Sequence, residues 1–203
     1  MTMASTGVWV KVSGSSSEIP AKVDELIQLC AAESENAPLY RDMLLDVIRM
    51  AQADRNRWDA KIMLHTIREM EQAFSRMEIF KRRRKVTVFG SARTPIDHPL
   101  YALARAMGEE LAANDYMAIT GAGGGIMTAT HEGAGLDHSL GFNITLPFEQ
   151  RSNNIVHGPS HDLSFGFFFL RKLFFVKEAD ALILCPGGFG TLDEALEVLT
   201  LVQ

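Results

Sequence analysis

The residues best suited to chemistry lie in one short stretch, Pro186-Gly-Gly-Phe-Gly-Thr-Leu-Asp-Glu194. A glycine-rich turn lets a ligand approach backbone N–H groups closely. A helix starting behind it adds unpaired donors and a partial positive charge. Such a turn suits an anion, above all a phosphate. Gly187, Gly188, Gly190 and the Thr191 hydroxyl are the candidate donors, and Glu194 sets a carboxylate at the edge of the cradle. The same Thr191-Leu-Asp-Glu194 also reads as a capping box, where the glutamate only returns a hydrogen bond to the helix start. The local residues balance these two roles of Glu194 evenly.

Two further stretches have the same character. Phe89-Gly-Ser-Ala-Arg-Thr94 supplies Gly90, Ser91 and Arg93. Thr120-Gly-Ala-Gly-Gly-Gly-Ile-Met127 supplies Gly121, Gly123 and Gly125. A dinucleotide fingerprint needs a third glycine where Ile126 stands, and a P-loop needs Lys-Ser/Thr where Gly125 is followed by Ile126. Both common nucleotide-cofactor motifs therefore fail in detail, and a mononucleotide remains. Arg171 and Lys172 interrupt the apolar run Phe165-Gly-Phe-Phe-Phe-Leu170 and Leu173-Phe-Phe-Val176, where a charged pair needs a reason.

The elements that must position these residues alternate from Lys85 onward. Apolar strands are expected at 86–90, 116–120, 141–147 and 180–186, with helices at 99–115, from 125 to Gly133 or Gly135, at 165–179 and from 191. Short apolar strands separated by helices imply an α/β fold, a parallel sheet covered on both faces. Right-handed crossovers place all the strand C-termini, and hence the three glycine-rich loops, on one edge. Ahead of this lie a disordered polar lead-in at 1–18 and a helical region from Pro20 to Arg83. Tyr40, Met43, Leu44, Val47, Ile48 and Ala51 form one helical stripe, and Met63, Ile67, Met70, Phe74 and Met77 form a narrow seam that wants a partner surface. The expected division is 1–84, lead-in and helical extension, and 85–203, a nucleotide-binding domain continuing past 203. Lys81-Arg-Arg-Arg-Lys85 is expected to be a solvated linker.

The 203 residues carry a formal net charge of −5, which argues against nucleic acid or an acidic membrane as partner. Cys30 and Cys185 are too few for a disulfide framework or zinc site, and the six histidines lack ligand spacing. No apolar stretch approaches a membrane span, and the first residues lack the pattern of a signal peptide. The cytoplasm is the default compartment. No metal and no cofactor are expected.

Pro186–Glu194 is an intact P-G-G-x-G-T-x-x-E motif. With Thr120–Ala134, Phe169–Glu194 and the loop Leu146–Asn153, it resembles the LOG family of cytokinin riboside 5′-monophosphate phosphoribohydrolases, long labelled lysine decarboxylase-like. The resemblance covers about residues 85–203. It implies a Rossmann-like fold, a homodimer or higher homo-oligomer, and hydrolysis of a nucleoside 5′-monophosphate to free base and ribose 5-phosphate. The family's catalytic arginine and glutamate fall on Arg171 and Glu194. Glu194 would support the sugar cation, bind ribose or activate water. Arg171 would bind phosphate or ribose, or orient Glu194. The glycines and Thr191 would hold the 5′-phosphate, with Lys172, Ser91 and Arg93 as further contacts. Apart from the resemblance, the near-continuous apolar character of residues 165–176 exceeds what one helix face needs and places them partly in the expected subunit interface. The sequence departs from the family at Ala122 for Gly, Gly124 for Pro and Thr128 for Glu. A non-catalytic nucleotide or cofactor carrier of the same fold, as in the related molybdenum-cofactor carriers, is the alternative; an NAD-dependent oxidoreductase is disfavoured by the broken fingerprint.

Overall fold

The computed structural model describes residues 2–3, 9–10, 18–145, 152–156, 158 and 160–201. The chain forms two compact units, Met1–Ile62 and Met63–Gln203. The division along the chain, at 62/63, comes ahead of the change in sequence pattern at 84/85.

In the first unit Thr2–Met3 pairs antiparallel with Trp9–Val10; the rest of the expected lead-in up to residue 17 lies outside the described residues. Helix α1 (Glu18–Ala31) buries Val23 and Ile27. It packs on α2 (Ala37–Gln52), to which Asp24 is tied by an ion pair with Arg41. The apolar stripe on α2 is covered only in part: Leu44 and Ile48 are half-buried, while Tyr40, Met43 and Val47 are exposed. Helix α3 (Arg57–Met77) starts at a true cap, with Asn56 Oδ1 accepting from the N–H groups of Trp58 at 2.9 Å and Asp59 at 3.0 Å.

The part of α3 from Met63 onward belongs to the second unit, and its seam meets that unit's core. Met70, Ala73 and Met77 pack with Phe80 into the aromatic cluster under the sheet, and Phe74 lies against Phe174. The sheet contains β1 (Lys85–Phe89), β2 (Met117–Thr120), β3 (Ser139–Ile144), β4 (Asp162–Phe165) and β5 (Ala181–Leu184), all parallel, in the order β4-β3-β2-β1-β5. Connecting helices are α4 (Pro99–Ala113), α5 (Ile126–Ala134), α6 (Phe168–Glu178) and α7 (Phe189–Leu201). This is a Rossmann-like α/β arrangement. The strand order reverses at β1, so the switch point that such sheets use for ligands lies between β1 and β5.

One core cluster joins Val86 and Val88 of the sheet to Tyr101, Ala104, Ile126 and Ala129 of α4 and α5. The other gathers Phe89, Phe142, Phe165, Leu170, Phe174 and Phe175, with the Phe89 and Phe175 rings edge-on at 5.0 Å.

Three sequence expectations need correction. Strand β4 was not foreseen: four residues at a sheet edge, with only Leu163 and Phe165 buried, give too weak an alternation beside the apolar run that follows. Two backbone groups at its ends are met by α3 side chains. Arg76 Nη1 donates to the Asp162 carbonyl at 2.8 Å, and Glu69 Oε2 accepts from Gly166 N–H at 3.0 Å. The expected helix 165–179 therefore begins only at Phe168. The basic run 81–85 is a solvated linker only in part: Lys81, Arg82 and Arg84 are exposed, but Lys85 is buried in the sheet. Arg83 reaches Asp115 at 3.1 Å, Arg84 stacks on Tyr116, and Lys85 opens β1 as a buried partner of Glu178 at 3.3 Å.

Candidate functional site

The glycine-rich loops converge through their backbones. Ser91 N–H donates to the Pro186 carbonyl at 3.1 Å, joining the loops after β1 and β5 across the switch point. The Ser91 carbonyl accepts from Ile126 N–H at 3.0 Å, which takes up one first-turn donor of α5. Gly125, with φ of 59°, is what permits this approach: a β-carbon there would collide with the Ser91 carbonyl.

A cleft of about 520 Å³ opens at this edge. Of the expected residues it is lined by Gly90, Ser91, Arg93, Gly121, Arg171, Gly188, Gly190, Thr191 and Glu194. Gly123, Gly125, Gly187 and Lys172 do not line it. The Gly123 carbonyl accepts from Thr128 Oγ1 at 2.9 Å and Asn153 Nδ2 at 3.3 Å. Gly187 makes room for Thr191, whose hydroxyl a β-carbon would strike. Lys172 is engaged by Asp193 at 2.7 Å and Glu197 at 3.1 Å, which raises its pKa and ties α6 to α7. Phe189 and Met127 line the cleft without having been assigned to it. Phe189 is 92% exposed.

Helix α7 starts earlier than the sequence suggests. Leu192 N–H donates to the Gly188 carbonyl at 3.1 Å, so Gly188 is the N-cap and Phe189 the first helical residue. A glycine cap has no side chain to satisfy the first-turn N–H groups, which leaves this helix start open to an anion. Glu194 is then the sixth helical residue, not the third. The capping box does not form, and with it goes the competing account of why a glutamate stands here.

Glu194 lies 3.5 Å from Arg171 Nη1, with the two side chains 17% and 13% exposed. Burial pushes the Glu194 carboxyl above the usual glutamate range, against the pull of Arg171. Burial likewise lowers the Arg171 pKa, against the pull of Glu194. Arg171 Nε donates to the Phe142 carbonyl at 2.7 Å, and its guanidinium sits over the Phe175 ring. The charge that interrupts the apolar helix is thus spent at the cleft, not on the surface.

Behind the second loop lies a buried network. His131 Nε2 is 3.2 Å from the Leu140 carbonyl, so this nitrogen carries the proton; Nδ1 accepts from Asn153 Nδ2 at 3.1 Å. Burial lowers the His131 pKa to about 4. Asn153 N–H also donates to the Ala122 carbonyl at 2.7 Å. Ala122 has φ of 59°, which explains why a glycine suits its place. Of the loop expected at 146–153, only Ser152 and Asn153 are among the described residues. Asn153 was missed because its value lies in contacts remote in sequence.

Comparison with known proteins bears on this geometry. Residues 124–203 match the family model described as "Possible lysine decarboxylase". Over that segment the chain is similar to the family that this model describes, the one its glycine-rich motifs resemble. No curated protein matches it. Among solved structures, the protein TM1055 is similar at 24% identity over 58% of this chain and 69% of that one, with a TM-score of 0.48. A Moco carrier protein from Chlamydomonas reinhardtii is similar at 20% identity over 59% of this chain and 72% of that one, with a TM-score of 0.46. The matched segment contains Arg171, Glu194 and the whole α7 start, while the loop after β1 lies ahead of it. Among the described residues no helix is long and apolar enough to cross a membrane, and no three potential metal ligands cluster.

Proposed function

We propose that this chain hydrolyses the N-glycosidic bond of a nucleoside 5′-monophosphate, AMP or a cytokinin riboside monophosphate, releasing the free base and ribose 5-phosphate. The observation that carries the reading is the largely buried Arg171–Glu194 pair beside an uncapped helix start in one cleft.

The 5′-phosphate sits on the first-turn N–H groups of α7 and the Thr191 hydroxyl, with Ser91 and Arg93 on the opposite wall. That anchor holds the ribose over Glu194 and supplies orientation. As the C1′–N bond breaks, positive charge grows on the sugar. A carboxylate beside it stabilises that charge and takes a proton from the attacking water, help worth about 10²–10⁴-fold. Burial makes Glu194 a stronger base than a solvated glutamate. Arg171 balances its charge and keeps it aimed. Lysine decarboxylation by a Schiff-base mechanism finds no support, since no lysine is among the described residues lining the cleft and Lys172 is held by two carboxylates.

Incubation with AMP tests the reading. Ribose 5-phosphate and adenine should appear in equal amounts, and adenosine should react far more slowly. Binding of AMP with no product would instead favour a non-catalytic nucleotide or cofactor carrier.

A further inference from the structure

Arg171 is held on four sides. Nε donates to the Phe142 carbonyl at 2.7 Å, Nη1 faces Glu194 at 3.5 Å, and the guanidinium lies over the Phe175 ring with its centroid 5.0 Å away. The fourth side is Gly121. A β-carbon on Gly121 would collide with Arg171 Nη2 and lie 3.0 Å from Met127 Sδ. Among the described glycines, positive φ occurs at Gly125, Gly135 and Gly158, so Gly121 is not required by its backbone angle. The constraint there is space.

We propose that Gly121 is a positioning residue for Arg171: its missing side chain is the slot that keeps the guanidinium against Glu194, not a donor to the ligand's phosphate. The consequence for turnover rests on the hydrolase reading; the consequence for Glu194 does not. A methyl at 121 presses on the far end of a flexible side chain, so the fold persists and the guanidinium swings about its tether on Phe142. Glu194 then loses its nearest cation. Around it stand Arg171 and Lys172 from α6, Asp193 and Glu197 from its own helix, and Arg93 on the facing wall of the cleft. Lys172 is already committed to Asp193 and Glu197. Arg171 is therefore the cation whose displacement Glu194 feels.

The test compares wild type, Gly121→Ala, Arg171→Ala and the double variant, following the Glu194 carboxyl by ¹³C NMR titration and AMP turnover against pH. Removing a cation at this range raises a carboxyl midpoint by about 1 unit. That rise is expected in Gly121→Ala and in Arg171→Ala, with no further rise in the double variant. The kcat of Gly121→Ala should fall about tenfold or more, on the scale of an orientation effect, while KM for AMP stays nearly constant. An unchanged Glu194 midpoint with a raised KM would make Gly121 a phosphate donor and overturn the proposal. If wild type does not turn over AMP, the hydrolase reading fails and the titration still decides the slot. Should Gly121→Ala not fold, the double variant, which lacks the colliding group, is expected to fold; if it does not, the proposal fails.

Discussion

Glu194 is where the sequence and the structure part company most usefully. Thr-Leu-Asp-Glu satisfied a helix-start pattern, but the first hydrogen bond of α7 closes on Gly188, three residues earlier. The pattern alone could not show this, because any glycine in Pro186–Thr191 could have ended the turn. Glu194→Gln should abolish AMP turnover and also cost about 1–3 kcal/mol of stability. The cost follows because the Arg171 guanidinium stays largely buried and loses the carboxylate that balances it. Urea unfolding beside an AMP assay checks this, and near wild-type turnover would remove Glu194 from the mechanism. His131 gives a second residue-scale prediction. Its pKa is about 4 when folded and about 6.5 when unfolded, so the unfolded chain binds the extra proton between those values. Stability is fully present above about pH 6.5 and is lost as pH falls toward 4, by about 2 kcal/mol between pH 7 and 5 from this residue. Urea midpoints at the two pH values should show the loss, and His131→Gln should flatten it. The histidine spacing suggested a surface or core residue at His131, and the burial places it in the core, but its partners Asn153 and Leu140 come from other segments and could not be read.

At the scale of elements, strong repeating patterns were legible and contacts between elements were not. The three N-terminal helices, strands β1, β2, β3 and β5 and all four following helices carry their own periodicity, and each is found. β4 was lost because an edge strand buries only alternate residues and here has just two to show. The two glycines at the end of α5 make the same point. Both could have ended the helix; Gly135, with φ of 72°, ends it. Gly133 instead lets α5 press directly on α4, and a β-carbon there would strike the Arg105 carbonyl and lie 2.9 Å from Glu109 N. Backbone cannot yield as a side-chain tip does. Gly133→Ala gains about 1 kcal/mol of helix propensity but must push two helices apart, an overpacking that costs about 1–3 kcal/mol or more. The expected net effect is a melting temperature lower by about 2–4 °C or more; an unchanged or higher value would show that the helices separate freely.

For the whole molecule, the single chain leaves a question at α6. The helix that delivers Arg171 buries Leu170, Phe174 and Phe175, yet Phe168 and Phe169 are each 54% exposed and Leu173 is exposed beside them. Buried packing explains half of this apolar run. The exposed half forms a patch of the kind that soluble proteins cover with a partner, and a net charge of −5 does not by itself prevent like chains from meeting. A second copy contributing the same face would bury it by two-fold symmetry, each α6 serving both as wall of its own cleft and as contact to its neighbour. Light scattering at micromolar concentration should therefore give the mass of two chains. Phe169→Glu places a charge in that contact and gives up only a ring contact with the half-buried Phe167, so it should reduce the mass to one chain while leaving the helical signal intact. A wild-type mass of one chain would show that α6 stays uncovered, and the reason for its aromatic surface would have to be sought in the cleft it borders.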